Sequence, residues 1–132
     1  MKVYIDLSGS MFEMGGKSAL EYICKSLKDC CEFKGIECGF YDFEGNEIDI
    51  FDLSPKPSEI QTLKKILKED FNVIITDGYF EGFEKLNAYA LAFSIAADKK
   101  RLRLIAKEVF DESEIIKLAE YYISTREIED EW

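Results

Sequence analysis

The feature that most constrains the fold is a short apolar run, Phe71 to Thr76, with the sequence FNVIIT. A strand that is apolar at nearly every position is typical of a sheet with both faces covered, whereas a strand with one wet face alternates. The run Lys2 to Asp6 is also β-branched and aromatic, and it leads into a loop that begins Asp-Leu-Ser-Gly. These two runs therefore predict central strands of a buried sheet.

Stretches of helical periodicity alternate with these and further strand-like runs. Helices are predicted over Gly16 to Phe33, Ser58 to Glu69 with Ser58 as the N-cap, Lys99 to Lys107, and Ser113 to Ser124. Additional strands are predicted over Ile36 to Phe43, Glu47 to Leu53, Ala90 to Ala96, and Val109 to Phe110. A turn at Glu44-Gly45-Asn46 would join the first two of these strands as an antiparallel hairpin. The order predicts a three-layer α/β/α domain with a mainly parallel six-stranded sheet that contains one antiparallel strand.

The length and charge of the chain limit what it binds. Its 132 residues suffice for a single domain, which we place at residues 1–124, followed by an acidic tail at residues 125–132. The formal net charge of -10 repels the phosphate backbone, so nucleic acid is not an expected partner. No apolar segment approaches the roughly 20 residues that span a bilayer, and no signal peptide is recognisable. We therefore expect a cytoplasmic protein with no membrane partner.

The cysteines and the missing histidines argue against several kinds of site. Cys24, Cys30 and Cys31 fall in one predicted helix, and Cys38 follows it. Their spacing lacks the two C-x-x-C pairs of a zinc knuckle, and neighbouring residues of a helix point in different directions. Reduced, mostly buried thiols are therefore expected. Because the chain contains no His, it lacks every His-dependent triad and the usual general base.

The loop after the first predicted strand contains two candidate phosphate sites, and the residues complete neither. Gly15-Gly16-Lys17-Ser18 resembles the end of a phosphate-binding loop, but Met11 stands where such a loop requires its first glycine. A phosphotransferase of the haloacid dehalogenase type, with Asp6 as nucleophile, needs a second Asp where this chain has Ser8. A metal-dependent phosphohydrolase that uses Asp6 remains the alternative function.

The same loop supports a third interpretation, a metal site. Alternate residues of an extended loop point the same way, so Asp6, Ser8 and Ser10 direct three oxygen-bearing side chains toward one point. Asp77 ends the FNVIIT strand, and ligands bind at the carboxyl ends of the strands in such sheets. Oxygen ligands with few charges suit Mg²⁺. Helix capping by both Asp and turn formation by both Ser is the alternative, but two Asp at adjacent strand ends repel each other unless a cation lies between them.

Two motifs, in this order, resemble the von Willebrand factor A domain family. They are the hexapeptide Asp6 to Met11, DLSGSM, and the tripeptide Thr76 to Gly78, TDG, each at the end of a predicted strand. The predicted elements resemble that family over nearly the whole chain, which implies its Rossmann-like fold. The resemblance implies a metal-ion-dependent adhesion site that binds Mg²⁺ or Mn²⁺ through Asp6, Ser8, Ser10 and Asp77. It also implies a protein partner that supplies an acidic side chain to the metal.

One ligand of that family has no counterpart here. The family pattern has a further Thr in a loop before the TDG strand, a region that this chain compresses into the predicted helix Ser58 to Glu69. Asp42, near the carboxyl end of the neighbouring strand, is a candidate for a water-mediated contact to the metal. Ser54 and Ser58 are further candidates.

Aromatic residues after the second motif form a candidate contact surface. Tyr79, Phe80 and Phe83 would form an exposed rim beside the site, with packing in the core as the alternative role.

We expect a non-enzymatic, divalent-cation-dependent protein interaction module in an intracellular multi-protein assembly. The resemblance suggests a MoxR-type AAA+ ATPase as one such partner. A scaffold subunit with a degenerate metal site, bound through its helices or this rim, is a further alternative.

Overall fold

Parallel strands form the centre of the molecule. The structure, a computed structural model, describes residues 1–79, 84–94 and 97–130, with residues 127–130 described by their backbone alone. The strands are β1 (Lys2–Ile5), β2 (Gly39–Tyr41), β3 (Asn72–Thr76), β4 (Tyr89–Ala92) and β5 (Val109–Phe110). They form one sheet in the order β2-β1-β3-β4-β5, and every neighbouring pair is parallel. The α/β class and the parallel sheet predicted from the sequence are confirmed.

Helices cover both faces of this sheet. They are α1 (Gly16–Phe33), α2 (Ile60–Ile66), α3 (Lys99–Ile105) and α4 (Ile115–Asp130). Apolar residues of α1 and α4 pack with Val3 and Ile5 on one face. Those of α2 and α3 pack with Tyr4 and Ile74 on the other face. The result is the three-layer arrangement of helix, sheet and helix.

The burial of β3 explains its continuous apolar sequence. All residues of β3 are buried. Val73 and Ile75 face the layer formed by α1 and α4, while Ile74 faces α2 and α3, because successive side chains of a strand point to opposite faces. A strand with β1 and β4 on its sides and helices above and below has no wet face that would favour polar residues.

The predicted end of α1 at Phe33 is confirmed, and a glycine follows two residues later. Gly35 has φ +72°, a left-handed conformation that glycine adopts without steric cost. The N–H of Ile36 donates to the carbonyl of Cys31 at 2.8 Å, and the N–H of Gly35 donates to that of Glu32 at 3.1 Å. This pair of bonds satisfies carbonyls that the last helical turn leaves unpaired, and it turns the chain toward β2.

The strand order reverses between β1 and β3. From β1 the chain adds β2 on one side, and every later strand lies on the other side, beginning with β3. In open α/β sheets ligands bind in the crevice outside the carboxyl ends of the strands that flank such a reversal. Asp6 follows β1 and Asp77 follows β3, so both residues lie at this position.

The predicted antiparallel strand over Glu47 to Leu53 is wrong. Its first residue forms one antiparallel bridge to Tyr41, and the rest of the run forms no strand. Asp49 interrupts it, because its carboxylate accepts the N–H of Phe51 at 2.9 Å and its carbonyl accepts the N–H of Asp52 at 3.1 Å. These bonds close a turn that competes with strand pairing. The sheet formed by the described residues therefore has five strands, all parallel, rather than six with one antiparallel.

Several element ends differ from the prediction. α4 begins after a 3-10 turn at Glu112–Glu114 and continues to Asp130, beyond the predicted end at Ser124. Ser58 is not the N-cap of α2, since Glu59 occupies that position. β4 ends at Ala92, and residues 95 and 96 of its predicted run lie outside the described residues, as do residues 131 and 132 of the predicted tail.

The cysteines are free thiols, as predicted. Cys24 and Cys31 are buried, while Cys30 and Cys38 are half-buried. Burial raises the pKa of Cys24 to about 12, which keeps this thiol neutral in the core. Among the helices of the described residues, none combines the length and the apolar character needed to cross a membrane.

Candidate metal centre

Asp6 is the first residue beyond β1, and hydrogen bonds from two segments hold it. Its N–H donates to the carbonyl of Ile75 at 2.9 Å, which continues the pairing with β3. The residue is 1% exposed. Its Oδ1 accepts the N–H of Ser8 at 2.9 Å, and its Oδ2 accepts the hydroxyl of Thr76 at 2.7 Å. The carboxylate therefore has a defined position at the carboxyl end of β1.

Asp77 occupies the corresponding position after β3. Its Oδ2 accepts the hydroxyl of Ser10 at 2.6 Å, and its Oδ1 accepts the N–H of Tyr79 at 3.0 Å. Gly78, between them, has φ +81°, and a Cβ there would lie 3.0 Å from the carbonyl oxygen of Asp98. The tight turn after β3 therefore favours glycine at this position, which accounts for the last residue of the TDG sequence.

The two serines of the opening loop connect the carboxylates. The hydroxyl oxygens of Ser8 and Ser10 lie 3.5 Å apart, and Ser10 also contacts Asp77. Ser10 is exposed and Ser8 half-buried, while the carboxylates beneath them are buried. We call Asp6, Ser8, Ser10 and Asp77 the switch-point cluster. The structure brings together the residues that the sequence proposed as metal ligands.

The electrostatics of the cluster are unfavourable for two negative charges. Burial is the largest cause that raises the pKa of Asp6, and repulsion by Asp77 raises it further. The hydrogen bonds from Ser8 and Thr76 lower the pKa but do not offset the other effects. Among the described residues, no Lys or Arg forms a salt bridge with either carboxylate.

Thr76 is a site residue that the sequence analysis did not identify as one. It is fully buried, donates its hydroxyl to Asp6, and accepts the N–H of Gly78 at 3.1 Å. It thereby links the first strand end to the turn that carries Asp77. One feature of the sequence could have identified Thr76 as a site residue: it is a hydroxyl-bearing residue at the end of an otherwise apolar strand, IIT.

A neighbouring loop positions the backbone between Asp6 and Ser8. The hydroxyl of Ser58 accepts the N–H of Leu7 at 2.9 Å, and the N–H of Lys56 donates to the carbonyl of Leu7 at 2.8 Å. Ser58, a candidate for the missing ligand, therefore uses its hydroxyl to hold the loop. Ser54, the other serine considered, is exposed.

Asp42 lies in a different set of contacts. Its Oδ1 accepts the N–H groups of Glu44 and Asn46, each at 2.9 Å. Its Oδ2 accepts the side chains of Asn46 at 3.2 Å and Lys56 at 2.7 Å. Within the part of the chain that the structure describes, these contacts join Asp42 to the turn after β2 and not to the switch-point cluster.

Of the predicted aromatic rim, the structure describes one residue. Tyr79 is 56% exposed and lies directly beside Asp77 in the sheet-edge turn. Phe80 and Phe83 lie outside the described residues.

The donor set of the cluster fits a hard divalent cation. It offers carboxylate and hydroxyl oxygens only, the ligands that Mg²⁺ and Mn²⁺ prefer. Among the contacts of the described residues, each carboxylate oxygen accepts one hydrogen bond and retains a second lone pair. No group of three or more His, Cys, Asp or Glu side chains suited to a metal occurs in residues 1–79, 84–94 and 97–126, so zinc-type coordination has no support there.

Comparison of this chain with known protein families, with curated proteins and with solved structures gives no match.

Proposed function

We propose that the chain is a protein interaction module that binds its partner through a divalent cation, Mg²⁺ or Mn²⁺, at the switch-point cluster. The observation that carries the proposal is a pair of buried carboxylates at adjacent strand ends, with no Lys or Arg of the described residues paired to either. Two charges of one sign that are removed from water are stable only when a counter-charge is near. A divalent cation would supply that charge.

The position of the cluster supports binding rather than a purely structural role. It lies at the reversal of strand order, where open α/β sheets bind their ligands. The buried carboxylates adjoin Ser10, which is exposed, and Ser8, which is half-buried. Such a site is accessible from one side and uses only four protein ligands, which leaves coordination positions for a partner.

The composition of the cluster favours an acidic partner group. Asp6 and Asp77 contribute two negative charges, which a divalent cation balances, and the hydroxyls of Ser8 and Ser10 add none. Because two carboxylates do no more than balance the cation and four protein ligands leave coordination positions open, the cation can bind a further carboxylate oxygen. Together with the resemblance to von Willebrand factor A domains, this favours a protein partner that presents Asp or Glu. A place in a multi-protein assembly, with a MoxR-type AAA+ ATPase as one candidate, belongs to the same proposal.

Calorimetric titration of the chelator-treated protein with Mg²⁺ and Mn²⁺ tests the proposal. Binding should occur in the wild type and be lost in Asp77→Asn, which removes one charge and little volume. The melting temperature should rise with cation, by an amount equivalent to about 2.7 kcal/mol at a free concentration one hundred times Kd.

Asp29→Asn is the matched control. Asp29 is exposed on α1, where it pairs with Lys25 at 3.0 Å, away from the cluster. It removes the same charge and should leave cation binding unchanged. If the wild type neither binds nor is stabilised by either cation, the proposed function is wrong and a degenerate scaffold becomes the better description.

The alternative phosphohydrolase predicts a different result. Hydrolysis of p-nitrophenyl phosphate in the presence of Mg²⁺, lost in Asp6→Asn, would replace the interaction module with an enzyme. We expect no turnover, because Ser8 stands where that chemistry needs a second carboxylate.

A further inference from the structure

Met14 is an exposed apolar residue in an unfavourable backbone conformation. Its side chain is fully exposed, and its φ of 51° and ψ of 47° are left-handed. Only glycine, and less often Asn or Asp, adopts this conformation without appreciable steric cost. Since the side chain gains no packing in the monomer, neither burial nor backbone preference explains a methionine at this position.

The loop that carries Met14 begins at the switch-point cluster. Ser10, a member of the cluster, precedes Met14 by four residues, so their Cα atoms lie within about 14 Å of each other. Met11 is fully buried, and Gly16 lies so close to the carbonyl of Met11 that a Cβ there would overlap it. Met11 and Gly16 therefore hold the loop on either side of Met14, whose side chain is exposed to solvent.

Tyr79 approaches the cluster from the other strand end. It is 56% exposed, and its N–H contacts the carboxylate of Asp77. Met14 and Tyr79 thus extend from the two chain segments that build the cluster, one after β1 and one after β3.

We propose that Met14 and Tyr79 form an apolar docking rim and that its occupant is a protein segment with one Asp or Glu flanked by an apolar side chain. This inference rests on the proposed function, since the acidic residue binds the cation. The rim contributes the selectivity: a carboxylate alone would be captured from any acidic segment, whereas the rim requires an apolar neighbour.

The charge of the chain favours this occupant over two others. With a net charge of -10, the chain repels a polyacidic segment, so a single acidic residue in an apolar context is the better match. The same repulsion acts between two copies of the chain and disfavours a symmetric dimer. Methionine suits the role because its flexible side chain adapts to differently shaped apolar groups.

A display library of random peptides with a fixed central Asp, selected in Mg²⁺ and eluted with chelator, tests the inference. Selected peptides should carry an apolar residue near the Asp. Met14→Gly should weaken the binding of a selected peptide about tenfold, as expected for the loss of one buried apolar side chain. Met14→Gly suits the left-handed backbone, so its melting temperature should equal or exceed that of the wild type.

Phe33→Ala is the control, because Phe33 is 90% exposed at the opposite end of α1 from the site loop. It should leave peptide affinity unchanged. Equal affinity of Met14→Gly and wild type for the selected peptides would contradict the proposed docking rim.

Measuring cation binding separately distinguishes a failure of the docking rim from a failure of the proposed cation site. If calorimetry detects Mg²⁺ but no peptide is retained, or if sedimentation shows a Mg²⁺-dependent dimer instead, the occupant proposed here is wrong and the cation site stands. If the protein binds neither cation nor peptide, both proposals fail.

Discussion

Two buried aspartates follow neighbouring parallel strands, and their surroundings shift their pKa values in opposite directions. Asp42 follows β2 and Asp6 follows β1, with exposures of 4% and 1%. Burial raises the pKa of each, but for Asp42 the hydrogen bonds from Lys56, Asn46 and Glu44 outweigh burial and lower the pKa. For Asp6 the hydrogen bonds do not outweigh burial, and the pKa is raised.

The difference lies in the charge of the partners. Asp42 receives an ammonium group at 2.7 Å, and Glu44 binds the same ammonium at 3.0 Å. Asp6 receives a backbone N–H and a neutral hydroxyl, and the charged neighbour that raises its pKa is Asp77. Within the described residues, the fold thus pairs the carboxylate of Asp42 with a basic side chain but pairs none with Asp6 or Asp77. An uncompensated pair of buried carboxylates is the arrangement expected of a binding site.

Removing the neutralised carboxylate should have the largest effect on stability. Asp42→Ala should lower the free energy of unfolding by about 3 kcal/mol, because it leaves the N–H groups of Glu44 and Asn46 without their acceptor and leaves Lys56 paired with Glu44 alone. Urea denaturation measures the change. Asp52→Ala, at an exposed Asp in the following loop, is the matched control and should change stability little.

The stabilising contribution of Asp42 should depend on pH. A depressed carboxyl pKa stabilises the fold above the ordinary value of 3.8, and the contribution is lost as pH falls through the lower, folded-state pKa. The stability difference between wild type and Asp42→Ala should therefore be full near neutral pH and shrink in acid below that value. A difference that stays constant into acid would show that the charge of Asp42 is not what stabilises the turn.

Thr76→Val should have the second-largest effect. The substitution keeps the shape but removes the donor to Asp6 and the acceptor of the Gly78 N–H, both in a buried setting, at a cost of about 2 kcal/mol. Thr62→Val makes the same chemical change at a half-buried position of α2 and serves as the control. Equal melting temperatures for the two variants would contradict the positioning role of Thr76.

Asp6→Asn should have the smallest effect and the opposite sign. A raised carboxyl pKa means that the charged form is disfavoured in the folded state, so the wild type loses stability as pH rises from 3.8 through the folded-state pKa of Asp6. Above that range the variant should be more stable than the metal-free wild type, because it carries no charge at this buried position. Thermal melts in chelator measure this gain.

The gain in stability of Asp6→Asn should be confined to the metal-free protein. In the presence of Mg²⁺ the order of stability should reverse, because only the wild type is stabilised by the cation. If Asp6→Asn is less stable than wild type at neutral pH without metal, the fold does not disfavour the charged form of Asp6 as inferred.

Long periodic or continuously apolar segments were predicted well. β3 and α1 have nearly the predicted bounds, because burial on both faces and helical periodicity are each visible over many residues. The run Glu47 to Leu53 was predicted wrongly as a strand. The turn formed by Asp49 competes with strand pairing, and the residue pattern of such a short run does not show which of the two is favoured. The same limit explains Ser58, a good capping residue whose hydroxyl binds Leu7 instead.

By itself, the sequence determined that Asp6, Ser8, Ser10 and Asp77 follow buried strands, because apolar pattern and turn residues are local properties. Only the tertiary structure decided that β1 and β3 are neighbours and that strand order reverses between them, which brings the four side chains together. It also decided that Lys56 neutralises Asp42, whereas Asp6 is held by neutral donors. Local pattern specifies which face of an element is buried, whereas the partner of a buried charge depends on which distant segments the fold places side by side.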